Sequence, residues 1–393
     1  MLTPLLAGVA AHGADSAAPT YSPATDTLVY VGTYTGPKSK GIYAFKLTTA
    51  HTAAGAVPAL VPLGLAAESP SPAFLAVDTK RRLVFASNEI DNFNGERTGS
   101  VSAFAVDPAT GKLNFLNSVS SGGPGPCHLA LDATGKNLVV ANYSGGSTAV
   151  LRVGADGRLG ALTARIQHVG KSVHPQRQEA PHAHCATLAP DNRFALICDL
   201  GLDQVLVYRL DAERGTLTPA ATPFARLAPG AGPRHLAFRP DGKFAYVINE
   251  LASTVTTFAY DAASGRLTEV ATVSTLPAAY AGKSTTAEIA VHPSGKFLYG
   301  SNRGHDTLAL FAIDATSGRL TATGHEEIGG KIPRHFALDA AGKIAITENQ
   351  NSDTMVVHRI DPANGKFLPL GQSVAVPSPV CAVFLPPTAG VAR

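Results

Sequence analysis

At 393 residues the chain is long enough for two domains or one large all-β unit, and 45% apolar against 16% charged residues supplies a large core and excludes disorder. The net charge of +3 comes from scattered Lys and Arg, which removes nucleic acid from the partners considered. Four cysteines, Cys127, Cys185, Cys198 and Cys381, stand far apart without CxxC spacing, which argues against a disulfide framework or a zinc site and predicts buried thiols.

The chain opens on MLTPLLAGVAAHGADSAAP, a short apolar run followed by small residues that resemble a cleavage site, without a basic start. Residues 1–20 therefore read as a truncated export signal of a periplasmic or secreted protein. The alternative is a disordered tail on a cytoplasmic one. No later segment reaches the roughly 18 uninterrupted apolar residues of a spanning helix, so no membrane domain is expected.

LVYVGTYTG follows, and then a hairpin pattern returns at intervals of roughly 45 to 55 residues, the range of propeller blades. The copies are PAFLAVDTKRRLVFASNE from Pro72, PCHLALDATGKNLVVANY from Pro126, HCATLAPDNRFALICDL from His184, PRHLAFRPDGKFAYVINE from Pro233, AEIAVHPSGKFLYGSNR from Ala287 and PRHFALDAAGKIAITENQ from Pro333. Each joins two apolar runs through a polar turn and ends on an amide or acid: Asn88, Asn142, Asp199, Asn249, Asn302 and Asn349. A third run such as TVTTFAYD or TLALFAID and a turn into a fourth complete a blade of four strands. At the C-terminus SPVCAVFLP matches the first strand of the repeat, whereas LVYVGTYTG matches the second. Neither end has the other half, so a shared blade closes the ring and protects its edges. The expectation is an all-β, seven-bladed β-propeller of four antiparallel strands per blade, occupying residues 21–388 as one domain, with 389–393 as a tail.

In a propeller the start of each first strand and the end of its neighbour share one mouth of the central channel. Strand alternation sends consecutive residues to opposite sides, so not all of those residues are expected to point inward. Structural positions should hold similar residues in every blade, yet these do not. One slot holds Ala73, Cys127, His184, Arg234, Ala287, Arg334 and Val380; the next holds Phe74, His128, Cys185, His235, Glu288, His335 and Cys381. The second-strand slot holds Glu89, Tyr143, Leu200, Glu250, Arg303, Gln350 and Tyr34. Converging arginines, histidines and glutamates predict a pocket for an anionic small molecule, because guanidinium offers a planar fork of donors to carboxylate or phosphate.

His184, in PHAHC, breaks the pattern of its slot and is a candidate acid or base, with His182 its rival. His128, His235 and His335 recur at one slot, which favours packing or hydrogen bonding over direct contact; with Glu288 and Arg334 they remain candidate substrate ligands. The Asn series suits turn and blade-edge bonding, with Asn302 also placed to help position a ligand. PHAH resembles half a metal site but has no clear third ligand, and no P-loop or G-x-S-x-G elbow occurs, so neither metal nor cofactor is expected. The oligomeric state stays open.

From about Leu28 to Pro386 the chain resembles the seven-bladed propeller lactonases, typified by the propeller-type bacterial 6-phosphogluconolactonases. The likeness is carried by YVGTYTG, GPCHLALD, ANYSGG, PHAHC, GPRHLAFRPDGKFAYVINEL, SNRGHD, PRHFALD and PSPVCAVF. The resemblance implies hydrolysis of a sugar lactone. The similar fungal carboxymuconate cyclases imply a cluster of one histidine, two arginines and a glutamate, which falls on His184, Arg234, Glu250 and Arg303. Glu250 or His184 would activate water, and Arg234 and Arg303 would hold the anionic group or the developing oxyanion. A muconate-type cycloisomerase and a non-catalytic ligand-binding propeller are the alternatives.

Overall fold

The structure, a computed structural model, describes residues 21–52 and 55–388; the expectations for residues 1–20 and 389–393 fall outside the described residues. Strands group into seven four-stranded antiparallel sheets, the blades of a β-propeller. The shared blade is ordered Pro379–Leu385, Thr27–Thr33, Gly41–Thr52, Gly55–Glu68, so the C-terminus supplies the inner strand and the N-terminus the outer three, as expected. The inner strands pack side by side around the channel, and Pro379–Leu385 meets both Pro333–Leu338 and Pro72–Asp78 to close the circle.

Burial explains the sequence pattern. The second strands Leu83–Asn88, Asn137–Asn142, Phe194–Asp199 and Phe244–Asn249 are buried along their whole length, sandwiched by neighbouring blades, and so read as unbroken apolar runs. Outer strands such as Leu113–Ser120 and Leu159–Gln167 are half exposed and read as mixed sequence. Apolar side chains fill the junctions between adjacent blades; Cys185, Phe194, Val247 and Phe258 share one such layer and Tyr246, Ile289, Leu298 and Phe311 another. All four cysteines are free and buried, as expected.

The amides that end the second strands hold blades together. Asn88 donates to Ser69 Oγ (2.6 Å) and Pro70 O (2.8 Å), and Asp199 Oδ1 accepts from the His182 amide (2.8 Å). Asp199 also receives His168 Nδ1 at 2.6 Å, while His168 Nε2 meets Thr148 Oγ1 at 3.1 Å. This Thr–His–Asp chain has the outline of a hydrolytic triad, but its members are fully buried inside the blades and serve as a strut.

One departure from simple alternation matters for function. At the mouth each inner strand slips register by a β-bulge: Pro233 pairs with Asn249 but His235 with Ile248, leaving Arg234 unpaired, and the same slip leaves Cys127, His184 and Arg334 unpaired in their blades. A bulge re-aims side chains. Arg234 and His235 therefore both face the channel, with Arg234 Nη1 3.3 Å from His235 Nε2, where alternation alone predicted opposite sides. Gly125 and Gly232, at φ of 61° and 66°, supply the left-handed turns that feed Pro126 and Pro233 into these bulges.

Candidate active site

At this mouth a cavity of about 310 Å³ is lined by Tyr34, Glu89, Tyr143, Arg177, His184, Glu250, Arg303 and Arg334. A wider depression of about 520 Å³ beside Lys40 and Glu68 is shallow and its 3.5 Å ion pair is solvent-exposed, whereas at the channel mouth concavity meets desolvated charge.

Glu250 is the hub of the site. It is 4% exposed, and its Oε1 accepts from Arg177 Nη2 at 2.6 Å while Oε2 lies 3.1 Å from both Arg234 Nε and Arg303 Nη2. Burial alone would raise its carboxyl; Arg303, Arg234 and Arg177 outweigh it and hold the pKa at about 2. Arg234, 2% exposed, also donates from Nη1 to Ala287 O at 2.7 Å, which fixes its guanidinium behind the carboxylate. Arg303 donates from Nη2 to Thr286 O at 2.8 Å, yet its buried Nε has no hydrogen-bond partner. Burial, with Arg234 and Arg334 nearby, brings Arg303 down to about 10 against the pull of Glu250, so it stays cationic at neutral pH.

On the facing wall Arg334 lies over the Tyr34 ring, 5.2 Å from its centroid, and 4.0 Å from Glu89 Oε2, which also accepts the Tyr34 hydroxyl at 2.7 Å. His184 Nε2 comes 3.9 Å from Glu250 Oε2. Burial, then Arg234, His235 and Arg334, push its pKa well below the usual histidine value, so at neutral pH this approach joins a neutral imidazole to a carboxylate. Four arginines against Glu89 and Glu250 leave the mouth with an excess of positive charge, suited to an anion.

The other expected ligands lie elsewhere. His128, His235, Glu288 and His335 form a layer beneath the cavity: His235 Nδ1 is 3.0 Å and His335 Nε2 3.4 Å from Glu288 Oε2, His335 Nδ1 is 2.8 Å from Glu348 Oε2, and Phe74 stacks on His128. They support the floor without lining the cavity. Asn302 is also turned away, with its amide committed to Thr275 through Oδ1 (2.7 Å) and Nδ2 (2.8 Å). His182 stacks on Tyr143 at 4.5 Å and bonds its backbone carbonyl, while His184 meets the same ring edge-on.

Within the lower layer burial opposes the charge of Glu288, but His235 and His335 hold its pKa at about 2. Burial and Arg234 lower His235, whereas His335 is raised well above the histidine range despite burial, by Cys381, Glu288 and Glu348; the cation of the pair is thus His335. A carboxyl depressed in the fold stabilises fully above its unfolded pKa, about 4.3, and loses that contribution as pH falls toward 2. For Glu288 this is on the order of 3 kcal/mol. The melting temperature is therefore expected to fall steeply between pH 5 and about 2, and more shallowly in Glu288→Gln; parallel melting curves against pH for the two proteins would contradict the assignment.

Arg177 carries no repeat signature and was not anticipated. It comes from the long connection 168–182, where Gln178, fully buried, donates to Leu200 O (2.9 Å) and Asp203 Oδ1 (2.7 Å), and Ser172 Oγ donates to Asp203 Oδ2 (2.6 Å). Asp203 also accepts the amides of Gly230 and Gly232, at the turn before Arg234. One carboxylate thereby fixes the approach of two arginines to Glu250. Tyr34, Glu89 and Tyr143 stand in the slot compared along the sequence, and the contrast between blades there was the signal that marks them.

Residues 28–384 match the family model described as Lactonase, 7-bladed beta-propeller. The chain is 35% identical over 361 residues to the 6-phosphogluconolactonase of Bacillus subtilis, covering 92% of this chain and 99% of that protein. Among solved structures, the periplasmic gluconolactonase of Pseudomonas aeruginosa superposes with a TM-score of 0.84 at 34% identity, over 92% of this chain and all of that one. A Lactobacillus plantarum protein superposes with a TM-score of 0.83, also at 34% identity, over 92% of this chain and 100% of its own. The fold and these likenesses agree, and the chain belongs to the seven-bladed β-propeller lactonase family.

Proposed function

We propose that the channel mouth hydrolyses an anionic sugar lactone, of the phosphogluconolactone or aldonolactone kind, to its acid. The observation that carries this is Arg303, which lines a cavity with excess positive charge and whose buried Nε has no hydrogen-bond partner. A guanidinium donor left open in a desolvated site is suited to an oxygen that gains charge during reaction.

In this reading water attacks the lactone carbonyl and passes a proton to His184 as the new C–O bond forms. Arg303 stabilises the oxyanion, while Arg234, behind the carboxylate, holds Glu250 in place. The ring C–O bond then breaks, and the leaving alkoxide takes the proton back from His184, giving the hydroxy acid. His184 is favoured over Glu250 as base because protonating Glu250 would discharge the counter-ion of three arginines, whereas an imidazolium 3.9 Å from its Oε2 is stabilised by it. Arg334 and Arg177 face the remaining anionic group of the substrate.

The likeness to a periplasmic gluconolactonase and the apolar opening of the chain support export as the setting, and no helix among the described residues is long and apolar enough to cross a membrane. Cell fractionation tests this part directly. The reaction is tested by ring opening of phosphogluconolactone, gluconolactone and muconolactone above the spontaneous rate, in water enriched in heavy oxygen. Hydrolysis places solvent oxygen in the acid, and His184→Ala is expected to reduce turnover about 10²- to 10⁴-fold. Full turnover by His184→Ala would remove it as base; product without solvent oxygen would point to cycloisomerisation.

A further inference from the structure

Three arginines share Glu250, but they are not equivalent. Arg234 and Arg303 rise from blade strands, have side chains 3% and 13% exposed, and are tied by second hydrogen bonds to Ala287 O and Thr286 O. Arg177 reaches in from the connection 168–182, its side chain is 37% exposed, and among the described residues its one other side-chain hydrogen bond beyond Glu250 Oε1 is to the Tyr143 hydroxyl, at 3.2 Å from Nη2. It also holds its carboxylate oxygen alone, whereas Arg234 and Arg303 share the other.

We propose that Arg177 is a specificity-determining latch: an anionic group on the lactone draws its guanidinium away from Glu250 Oε1, so that the substrate's own charge both earns the contact and strengthens the neighbouring base. This rests on the lactonase reading of the site. Arg177 trades one carboxylate for another anion at the same mouth, while Arg234 and Arg303 keep the buried Glu250 in place and offset the loss at its Oε1. Once Arg177 has left, the charge of Glu250 is less neutralised and better stabilises a proton on His184. The groups facing His184 are Glu250, Arg234, His235, Arg334, Tyr143 and Cys127; of the three arginines paired with Glu250, Arg177 comes from a connection and has the most exposed side chain. A neutral lactone offers nothing to draw the latch and meets a weaker base.

The test compares phosphogluconolactone with gluconolactone, which share the ring and differ in the anionic group, on the full chain and its Arg177→Ala and Arg177→Lys variants. Arg177→Ala is expected to raise KM for the anionic lactone at least tenfold and to lower its kcat/KM relative to the neutral one by more than tenfold, with partial recovery in Arg177→Lys. The acid limb of kcat/KM against pH should also move to higher pH in Arg177→Ala, since His184 then feels an uncovered Glu250; a simple loss of structure would not shift it. Equal losses on the two lactones, or an unchanged ratio, overturn the latch. If the parent protein opens neither lactone, the hydrolytic reading fails, and calorimetric titration with glucose 6-phosphate and glucose then judges Arg177 separately. Tenfold weaker binding of the phosphate sugar alone in Arg177→Ala supports the anion contact; equal binding by variant and parent, or no binding by the parent, overturns it.

Discussion

Replacing Arg303 by alanine is expected to lower kcat on the preferred lactone about 10²- to 10³-fold, the usual loss when one donor to a developing oxyanion is removed. Its Nε is desolvated and unpartnered, whereas Nη2 is already occupied by Thr286 O and Glu250 Oε2. The open donor therefore contributes where charge appears in the transition state and little to ground-state binding, so kcat should fall more than KM rises. Lysine should not rescue: an ammonium at the end of a flexible stem cannot hold Thr286 O and Glu250 while presenting a third donor in a fixed plane. With a pKa of about 10, Arg303 also predicts that activity on the alkaline side persists until pH approaches that value and then declines. Steady-state kinetics of Arg303→Ala and Arg303→Lys check this. A rise in KM at constant kcat would make Arg303 a binding residue only.

The architecture was legible because the hairpin repeats. Six internal copies and two half-copies at the ends fix the number of blades and the way the ring closes, and the shared sheet of Pro379–Leu385 with Thr27–Thr33 follows. Comparing each of two slots across the blades separated position from repeat, which is why His184, Arg234, Glu250 and Arg303 stood out and now meet around one carboxylate. Depth was not legible. Alternation predicts that Arg234 and His235 diverge, but the bulge turns both inward, one to the rim and one to the layer below, so His128, His235 and His335 mark the floor of the cavity. Arg177 was hidden for the opposite reason: the connection 168–182 belongs to no repeat, and its place is set by the contacts of Gln178 and Ser172 with Asp203, partners distant in sequence.

Glu250→Gln is expected to be the most damaging single substitution at the mouth, and for stability as well as rate. The amide keeps the shape of the carboxylate but removes the negative charge that faces Arg177, Arg234 and Arg303. Removing one partner from a buried ion pair costs about 3–5 kcal/mol, because the remaining charge is left desolvated without compensation. The lower end of that range applies, since Arg177 is partly exposed and can turn to water while Arg234, 2% exposed, cannot. The sign of the pH dependence follows from the same geometry. In the parent protein the carboxyl, held at about 2, gives its full stabilisation above the ordinary glutamate pKa and surrenders it as pH falls toward 2, so the variant should melt lower at neutral pH and the gap should close on acidification. Three arginines without their carboxylate also form a stronger anion site than the parent protein possesses. Inorganic phosphate should therefore raise the melting temperature of Glu250→Gln more than that of the parent, by mass action on the folded state. Melting curves of both proteins with and without phosphate, at constant ionic strength, decide the matter: equal responses would mean that Glu250 does not balance the arginines, and a larger response in the variant would identify the mouth as a cationic hole whose charge Glu250 partly neutralises.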